Sequence, residues 1–161
     1  MHRRYFVDMD GTLVEWSADG DYTQKGYYAT RPPITNMVNA VKQMLEEGKD
    51  VYTLSAAPVD DHSEADKNVS LDNLFGDLLP MERRIFVPYG QCKADYIMQF
   101  ADSMNVLIDD FNDNLFSWNG VPIKFLNGIN GGSNEWCGFV IQYDWQPAMI
   151  INQIERICSV Y

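Results

Sequence analysis

Several polar side chains stand directly after apolar runs, and their types are those that handle charge on oxygen. Asp8 follows Tyr5-Phe6-Val7, Ser55 follows Val51-Tyr52-Thr53-Leu54, and Asp109-Asp110 follows Val106-Leu107-Ile108. Asp10 comes two residues after Asp8, and Lys93 opens a helical stretch after Arg84-Ile85-Phe86-Val87-Pro88. Brought together, such carboxylates raise one another's pKa unless a cation joins them. Hard oxygen donors of this kind suit Mg2+, which keeps several waters and often shares a phosphate oxygen. A lysine and a hydroxyl beside them supply the positive charge and the donor that spread charge on a phosphoryl group in its transition state. A carboxylate at a strand end can also act as a nucleophile and form an acyl phosphate.

The elements that must position these residues follow from hydrophobic periodicity. Short apolar runs alternate with helical-period segments, the signal for a mostly parallel sheet with helices on both faces. Strands are expected at residues 5–7, 51–54, 84–88, 106–108 and 122–126. Ile34, Met37, Val38, Val41, Met44 and Leu45 recur at spacings of three and four, which predicts an amphipathic helix ending near Gly48. Residues 58–80 are polar and should hold one or two short helices. Further helices are expected over 93–102 and around 112–118, with a last one that starts at Asp144-Trp145-Gln146-Pro147, Pro147 falling near its first turn, and runs to about Cys158. Residues 128–132 read as a Gly/Asn-rich loop. An α/β architecture with a sheet of about five strands results. Parallel α/β sheets bind ligands outside the carboxyl ends of their strands, where Asp8, Ser55 and the Asp109-Asp110 pair all fall.

The 161 residues correspond to one domain, able to bury a core without disulfide or metal staples. Twelve basic against 23 acidic side chains leave a net charge of −11, which argues against polymeric nucleic acid and against anionic lipid as partners. The three cysteines, Cys92, Cys137 and Cys158, form no CxxC pair and suit free thiols in a reducing cytoplasm. No apolar stretch approaches the ~20 residues of a membrane span. The opening Met-His-Arg-Arg lacks the apolar region of a signal peptide, so a cytoplasmic chain is expected.

Phe6-Val7-Asp8-Met9-Asp10-Gly11-Thr12-Leu13 resembles the first motif, hhDxDGT, of the haloacid dehalogenase-like (HAD) phosphohydrolases. Thr53-Leu54-Ser55 is similar to the second motif, Lys93 to the third-motif lysine, and Leu107-Ile108-Asp109-Asp110 to the acidic fourth motif in its double-Asp form. The resemblance implies a Rossmann-like HAD core. Asp8 would be the nucleophile that becomes phosphorylated. Asp10 would be the general acid for the leaving group and then the base for water, with its backbone carbonyl touching the metal. Ser55 and Lys93 would hold phosphoryl oxygens. Asp8 and one or both of Asp109 and Asp110 would bind Mg2+, with Asp110 favoured as the direct ligand. An acid/base Asp10 implies complete hydrolysis rather than a persistent aspartyl phosphate.

A narrower likeness points to the 5′(3′)-deoxyribonucleotidase group: Asp109-Asp110 followed by Asn114, the small size, and Trp16 eight residues after Asp8. In that group an aromatic at the Trp16 position helps form the base pocket, and aromatic faces stack on any base. Tyr22, Tyr27 and Tyr28 could extend such a stacking lid. The group usually inserts a helical cap here, whereas residues 13–33 leave room only for a short flap. Either the site is more open, or another subunit, in a homo-oligomer, covers it. The expected activity is therefore Mg2+-dependent phosphomonoester hydrolysis of a small phosphorylated metabolite, with a (deoxyribo)nucleoside monophosphate leading. The alternatives are a sugar-phosphate phosphatase and a catalytically idle protein-binding domain.

Simpler readings compete for each residue. Asp-Gly is frequent in turns, a Ser at a strand end is usually a local cap, and a Lys opening a helix is usually solvated. Asn114 suits a helix cap, and Trp16 and the tyrosines suit flap packing as well as stacking. Trp118, Trp136 and Trp145 read as packing residues, Asp60-Asp61 as solvated surface, and His2 and His62 carry no assigned role. The order and spacing of the four motifs lift the first set above these readings.

Overall fold

The apolar runs become neighbouring strands of one parallel sheet. The computed structural model describes residues 3–17, 19–100, 102–129 and 135–161. In it β1 (Arg4–Val7) lies between β2 (Asp50–Ala57) and β4 (Val106–Asp109). Outside β2 runs β3 (Arg84–Pro88); outside β4 run β5 (Val121–Leu126) and then β6 (Phe139–Gln142). The order is β3-β2-β1-β4-β5-β6, and all five pairings are parallel. The sheet thus has six strands where about five are expected. The extra strand, β6, has only four residues, pairs on one side and buries one of them, so its hydrophobic signal is weak. Positions 130–132 of the Gly/Asn-rich stretch, and His2, lie outside the described residues.

Alternation along β1 assigns its side chains to two cores, as the two-residue period of a strand requires. Tyr5 and Val7 join Val51, Val106 and Ile108 under α1 (Thr35–Glu46), α5 (Pro147–Cys158) and the last turns of α2 (Ser63–Phe75). Phe6 joins Leu54 and Leu107 on the other face, under Ile97, Leu115 and Trp118 from the α3 (Lys93–Tyr96) and α4 (Asn112–Phe116) regions. Residues 58–80 hold one 13-residue helix, α2, followed by short 3-10 turns. The helix expected over 93–102 is shorter. It stops at Tyr96 and passes into a 3-10 turn at Met98–Phe100, where the Asn105 amide donates to the Phe100 carbonyl at 2.5 Å and turns the chain back toward β4. Among the described residues no helix is long and apolar enough to cross a membrane.

The chain crosses from β3, on one side of β1, to β4 on the other, so the strand order reverses at β1/β4. A crevice opens at such a point outside the carboxyl ends. Residues 13–33 leave from this edge. Val14 bridges Pro33 in antiparallel fashion, and Ile34 N–H donates to Leu13 O at 2.8 Å, so both ends of the excursion are tied together.

Phe6 is fully buried, stacked on Tyr52 at 5.4 Å and edge-on to Trp118 at 5.5 Å. Phe6→Ala should cost about 3–5 kcal/mol and lower the melting temperature by on the order of 10 °C. Thermal unfolding followed by circular dichroism checks this, and a shift of only a degree or two would contradict the packing described.

Candidate active site

Each acidic residue reaches the crevice because a strand ends beneath it. The Asp8 N–H donates to Ile108 O at 2.9 Å, so Asp8 continues β1 alongside the end of β4. Asp109 is the last residue of β4 and Asp110 the next. Carboxylate oxygens of Asp8, Asp109 and Asp110 lie within 4.8 Å of one another, and all three residues are buried. Lys93, on the first turn of α3, donates to Asp8 Oδ1 at 2.5 Å and to Asp109 Oδ2 at 2.7 Å. Thr12 sits 3.5 Å from Asp8 Oδ2. Ser55 is fully buried and stands inside β2 rather than at its end, because the strand runs on to Ala57 beside β3.

The turn after β1 closes against the same cluster. Gly11 has φ +81° and lies so close to the Asp110 carboxylate that a Cβ would overlap it; the conformation and the approach both require glycine. Asn127 clamps the turn to the acidic pair, its amide donating to Gly11 O at 2.9 Å and to Asp110 Oδ2 at 3.0 Å. Lys124 of β5, buried, donates to the Asp110 carbonyl and to Asn112 Oδ1 at 2.8 Å. Asn114 donates to Asp109 Oδ2 at 3.0 Å, so it touches the acidic pair rather than merely closing a turn. With the Phe111 N–H on Asp109 Oδ1 at 2.8 Å, both Asp109 oxygens have donors.

Lys67 is a site residue that no sequence motif announces. It is fully buried on α2, donates to the Asp10 carboxylate and, at 3.0 Å, to Ser55 Oγ, and lies 4.2 Å from the centre of the Tyr28 ring. The half of α2 that carries it buries Ser63, Asp66, Lys67 and Ser70, so it has no apolar stripe. The available signal was the spacing itself: 63, 67 and 70 fall on one helix face. Asp66 on that face accepts the Gly26 N–H at 2.5 Å, which ties α2 to the 13–33 excursion.

The aromatic residues divide. Tyr27 and Tyr28 are buried packing groups, edge-to-face at 5.0 Å, with Arg31 over the Tyr27 ring at 4.5 Å. Trp16 and Tyr22 stay exposed, at 37% and 46%, and no hydrogen bond or ring contact among the described residues joins Trp16 to the acidic cluster. Trp118 is buried in the Phe6 core, and Trp136 and Trp145 pack against the two cores.

Charge crowding shows in the titration of the acids. Burial raises Asp109 to about 6, with Lys93 pulling down and Asp8 pushing up. Burial, then Asp8 and Asp109, carry Asp110 well above the usual carboxylate range. Burial also raises Asp10, against the pull of Lys67. Burial by itself would lower Lys93, but Asp109 and Asp8 outweigh it and hold its ammonium above the ordinary value. One ammonium shared between two carboxylates is fully matched, while the acids keep an excess of negative charge.

No protein-family model matches the chain, and no curated protein matches it. Among solved structures, the crystal structure of D,D-heptose 1,7-bisphosphate phosphatase from B. bronchiseptica, complexed with magnesium and phosphate, is similar, with a TM-score of 0.65. The match covers 96% of this chain and 98% of that chain at 12% identity. The likeness is one of fold: the chain shares the parallel α/β architecture of that phosphatase.

An acid whose folded pKa exceeds its unfolded value stabilises the fold fully below the unfolded value and loses that contribution as pH rises through the folded one. For Asp109 the window runs from 3.8 to about 6. The metal-free protein should therefore lose stability across this window, and Asp110→Asn, which removes a crowded charge yet keeps an acceptor for Asn127, should raise the melting temperature at pH 7 by roughly 3–8 °C. Melting curves in chelator from pH 4 to 7.5 check both; a lower melting temperature for the variant at pH 7 would contradict the crowding.

Proposed function

We propose that the protein is a Mg2+-dependent phosphomonoesterase that works through an aspartyl phosphate on Asp8. The observation that carries the reading is the convergence of the Asp8, Asp109 and Asp110 carboxylates within 4.8 Å, with Lys93 between Asp8 and Asp109. The fold is shared with a phosphatase whose structure contains magnesium and phosphate. A catalytically idle binding domain has no reason to bury three carboxylates and two lysines around one crevice, with a fourth carboxylate, Asp10, half-buried beside them, since buried charge is expensive unless it is used.

The donor set fits Mg2+. Oxygen donors whose pKa values are raised by burial and then by neighbouring carboxylates are those that a hard dication relieves. Asp8, Asp110 and the Asp10 backbone carbonyl would hold it, while Asp109, with both oxygens engaged, fixes Lys93. When bound, the ion supplies Lewis-acid charge that neutralises phosphoryl oxygens.

The remaining chemistry belongs to the chain. Lys93 holds the Asp8 carboxylate in place for attack through its contact with Oδ1. An Asp8 oxygen forms a bond to phosphorus as the ester P–O bond breaks. The Asp10 carboxyl gives its proton to the departing alcohol oxygen. A water molecule then transfers a proton to Asp10 and attacks phosphorus, which releases orthophosphate and restores Asp8. Ser55 lends a hydroxyl donor to a phosphoryl oxygen.

For the leaving group, a (deoxyribo)nucleoside is the leading candidate. Its support is the exposed Trp16 ring on the excursion that leaves the crevice, together with the nucleotidase-like order of the motifs. A sugar phosphate is the second reading, favoured by the fold shared with a heptose bisphosphate phosphatase.

Hydrolysis of p-nitrophenyl phosphate with Mg2+ is expected, and Asp8→Asn should lower kcat by about a thousandfold or more. A wild type inactive with every divalent metal would remove the proposal. A screen of mononucleotides against sugar phosphates decides the leaving group. If nucleotides lead, Trp16→Ala should raise KM about tenfold, the loss of one stacked base, and an unchanged KM would eliminate Trp16 from the pocket.

A further inference from the structure

Two buried lysines, Lys67 and Lys93, touch the carboxylates of this crevice and differ in what surrounds them, while a third, Lys124, is engaged by the Asp110 carbonyl and Asn112. Lys93 stands between Asp8 Oδ1 and Asp109 Oδ2, so one positive charge meets two negative ones. Any anion approaching it also approaches both carboxylates. Lys67 meets a single carboxylate, Asp10, and two uncharged groups, the Ser55 hydroxyl at 3.0 Å and the Tyr28 ring at 4.2 Å. Of the two, Lys67 keeps the larger share of its charge for a ligand.

Position agrees with charge. In the reaction proposed above, the phosphoryl group must lie between the attacking Asp8 and the leaving group protonated by Asp10. A group placed there beside Ser55 is within reach of Lys67, because the Lys67 ammonium already touches both Asp10 and Ser55. An ammonium carries three donors and can hold Asp10, Ser55 and a phosphoryl oxygen together. Ser55 accepts from Lys67, and its own O–H, whose Oγ lies 3.4 Å from the Ala56 carbonyl oxygen in a long contact, can turn to the same phosphoryl oxygen.

Burial makes the same point. Lys67 is fully buried, and keeping an ammonium out of water is costly unless it is paired and used. A structural pin between α2 and the first turn could be made with a hydrogen-bonded neutral side chain. A fixed cation beside Ser55 and Asp10 is what a dianionic group requires. Tyr28, from the 13–33 excursion, supplies an aromatic seat that leaves the charge unneutralised.

We propose that Lys67, with Ser55, is the phosphoryl-gripping pair of this site, and that Lys93 instead serves the nucleophile by bridging Asp8 and Asp109. This assignment deepens the phosphatase reading and rests on it for the placement of the substrate. It moves the main phosphate cation from the expected motif lysine to a residue on α2.

Orthophosphate binding in the presence of Mg2+, measured by isothermal titration calorimetry, tests it without turnover. Lys67→Met should weaken binding about 10- to 100-fold, the loss of one charge-assisted contact, and Lys67→Arg should restore most of it. With p-nitrophenyl phosphate, Lys67→Met should raise KM by a similar factor, whereas Lys93→Met should act mainly on kcat. Because Lys67→Met can fail to fold, 15N-lysine NMR of the wild type provides a second measurement. The Lys67 Nζ signal, assigned from Lys67→Arg, should move on phosphate saturation more than that of Lys93. Wild-type affinity in Lys67→Met, an unmoved Lys67 signal, or a wild type that binds no orthophosphate would each overturn the proposal. Phosphate binding that depends on Lys67 in a protein that hydrolyses no ester would leave the anion site standing and remove the phosphatase reading. Turnover with no dependence of phosphate affinity on Lys67 would do the reverse.

Discussion

Negative charge packed at the carboxyl edge of the sheet is the constraint on which the rest of this molecule depends. Asp8, Asp109 and Asp110 converge where water is largely excluded, with Asp10 half-buried beside them, and unit charges a few ångströms apart there interact far more strongly than in bulk solvent. Such a cluster persists only if the fold holds it against its own repulsion. The sheet does so through topology. β1 and β4 are adjacent although about a hundred residues apart in sequence, and the bond from Asp8 N–H to Ile108 O fixes one acid beside the other two. The side-chain distances in the site follow from that strand pairing.

A second layer keeps the acids from moving apart. Gly11 lets the first turn come close against Asp110, Asn127 binds both, and Lys124 draws on the Asp110 carbonyl from the neighbouring strand. The Lys124 and Asn127 contacts come from β5 and the residue after it, far in sequence from the first motif that holds Gly11. On the opposite side, α2 and the 13–33 excursion brace each other through Asp66–Gly26 and Lys67–Tyr28, and so bring a cation to Asp10. The buried tyrosines of the excursion thereby act on the electrostatics of the crevice as well as on its packing.

What could be read from the sequence divides along physical lines. The strands at 84–88 and 122–126 and the helices α1 and α5 carry strong apolar periodicity, and the structure has them where the pattern puts them. Asp8, Asp109 and Asp110 stood out because a charge set directly against a buried apolar run costs too much there to be incidental, whereas Lys93, five residues beyond the end of β3, stood out only through its place in the order of the motifs. β6 was hidden because it buries a single residue. Lys67 was hidden because its helix presents a polar face to a polar site, the inverse of the pattern that reveals a helix. Asn127 was hidden because an asparagine before a glycine reads as a turn signal, whereas here it also clamps Gly11 to Asp110. Residues that support a site have no periodicity to betray them; only contact does.

The division of labour at the crevice bears on how selectivity arises. In the proposed reaction the charges of the crevice, from Asp8, Asp10, Lys67, Lys93, Asp109 and Asp110, address the phosphoryl group. On that reading, discrimination between leaving groups falls to the 13–33 excursion, where Trp16 and Tyr22 remain exposed while Tyr27 and Tyr28 are committed to packing. The excursion that carries them is pinned at its base by the Val14–Pro33 bridge and along its length by Gly26 and Tyr28. Its inner side is therefore tied to the charge-handling machinery, and its outer side is the surface on which sequence change can alter substrate preference without disturbing the acids beneath. In this architecture one short segment couples the two: the same stretch that seats the Lys67 ammonium presents the aromatic rim.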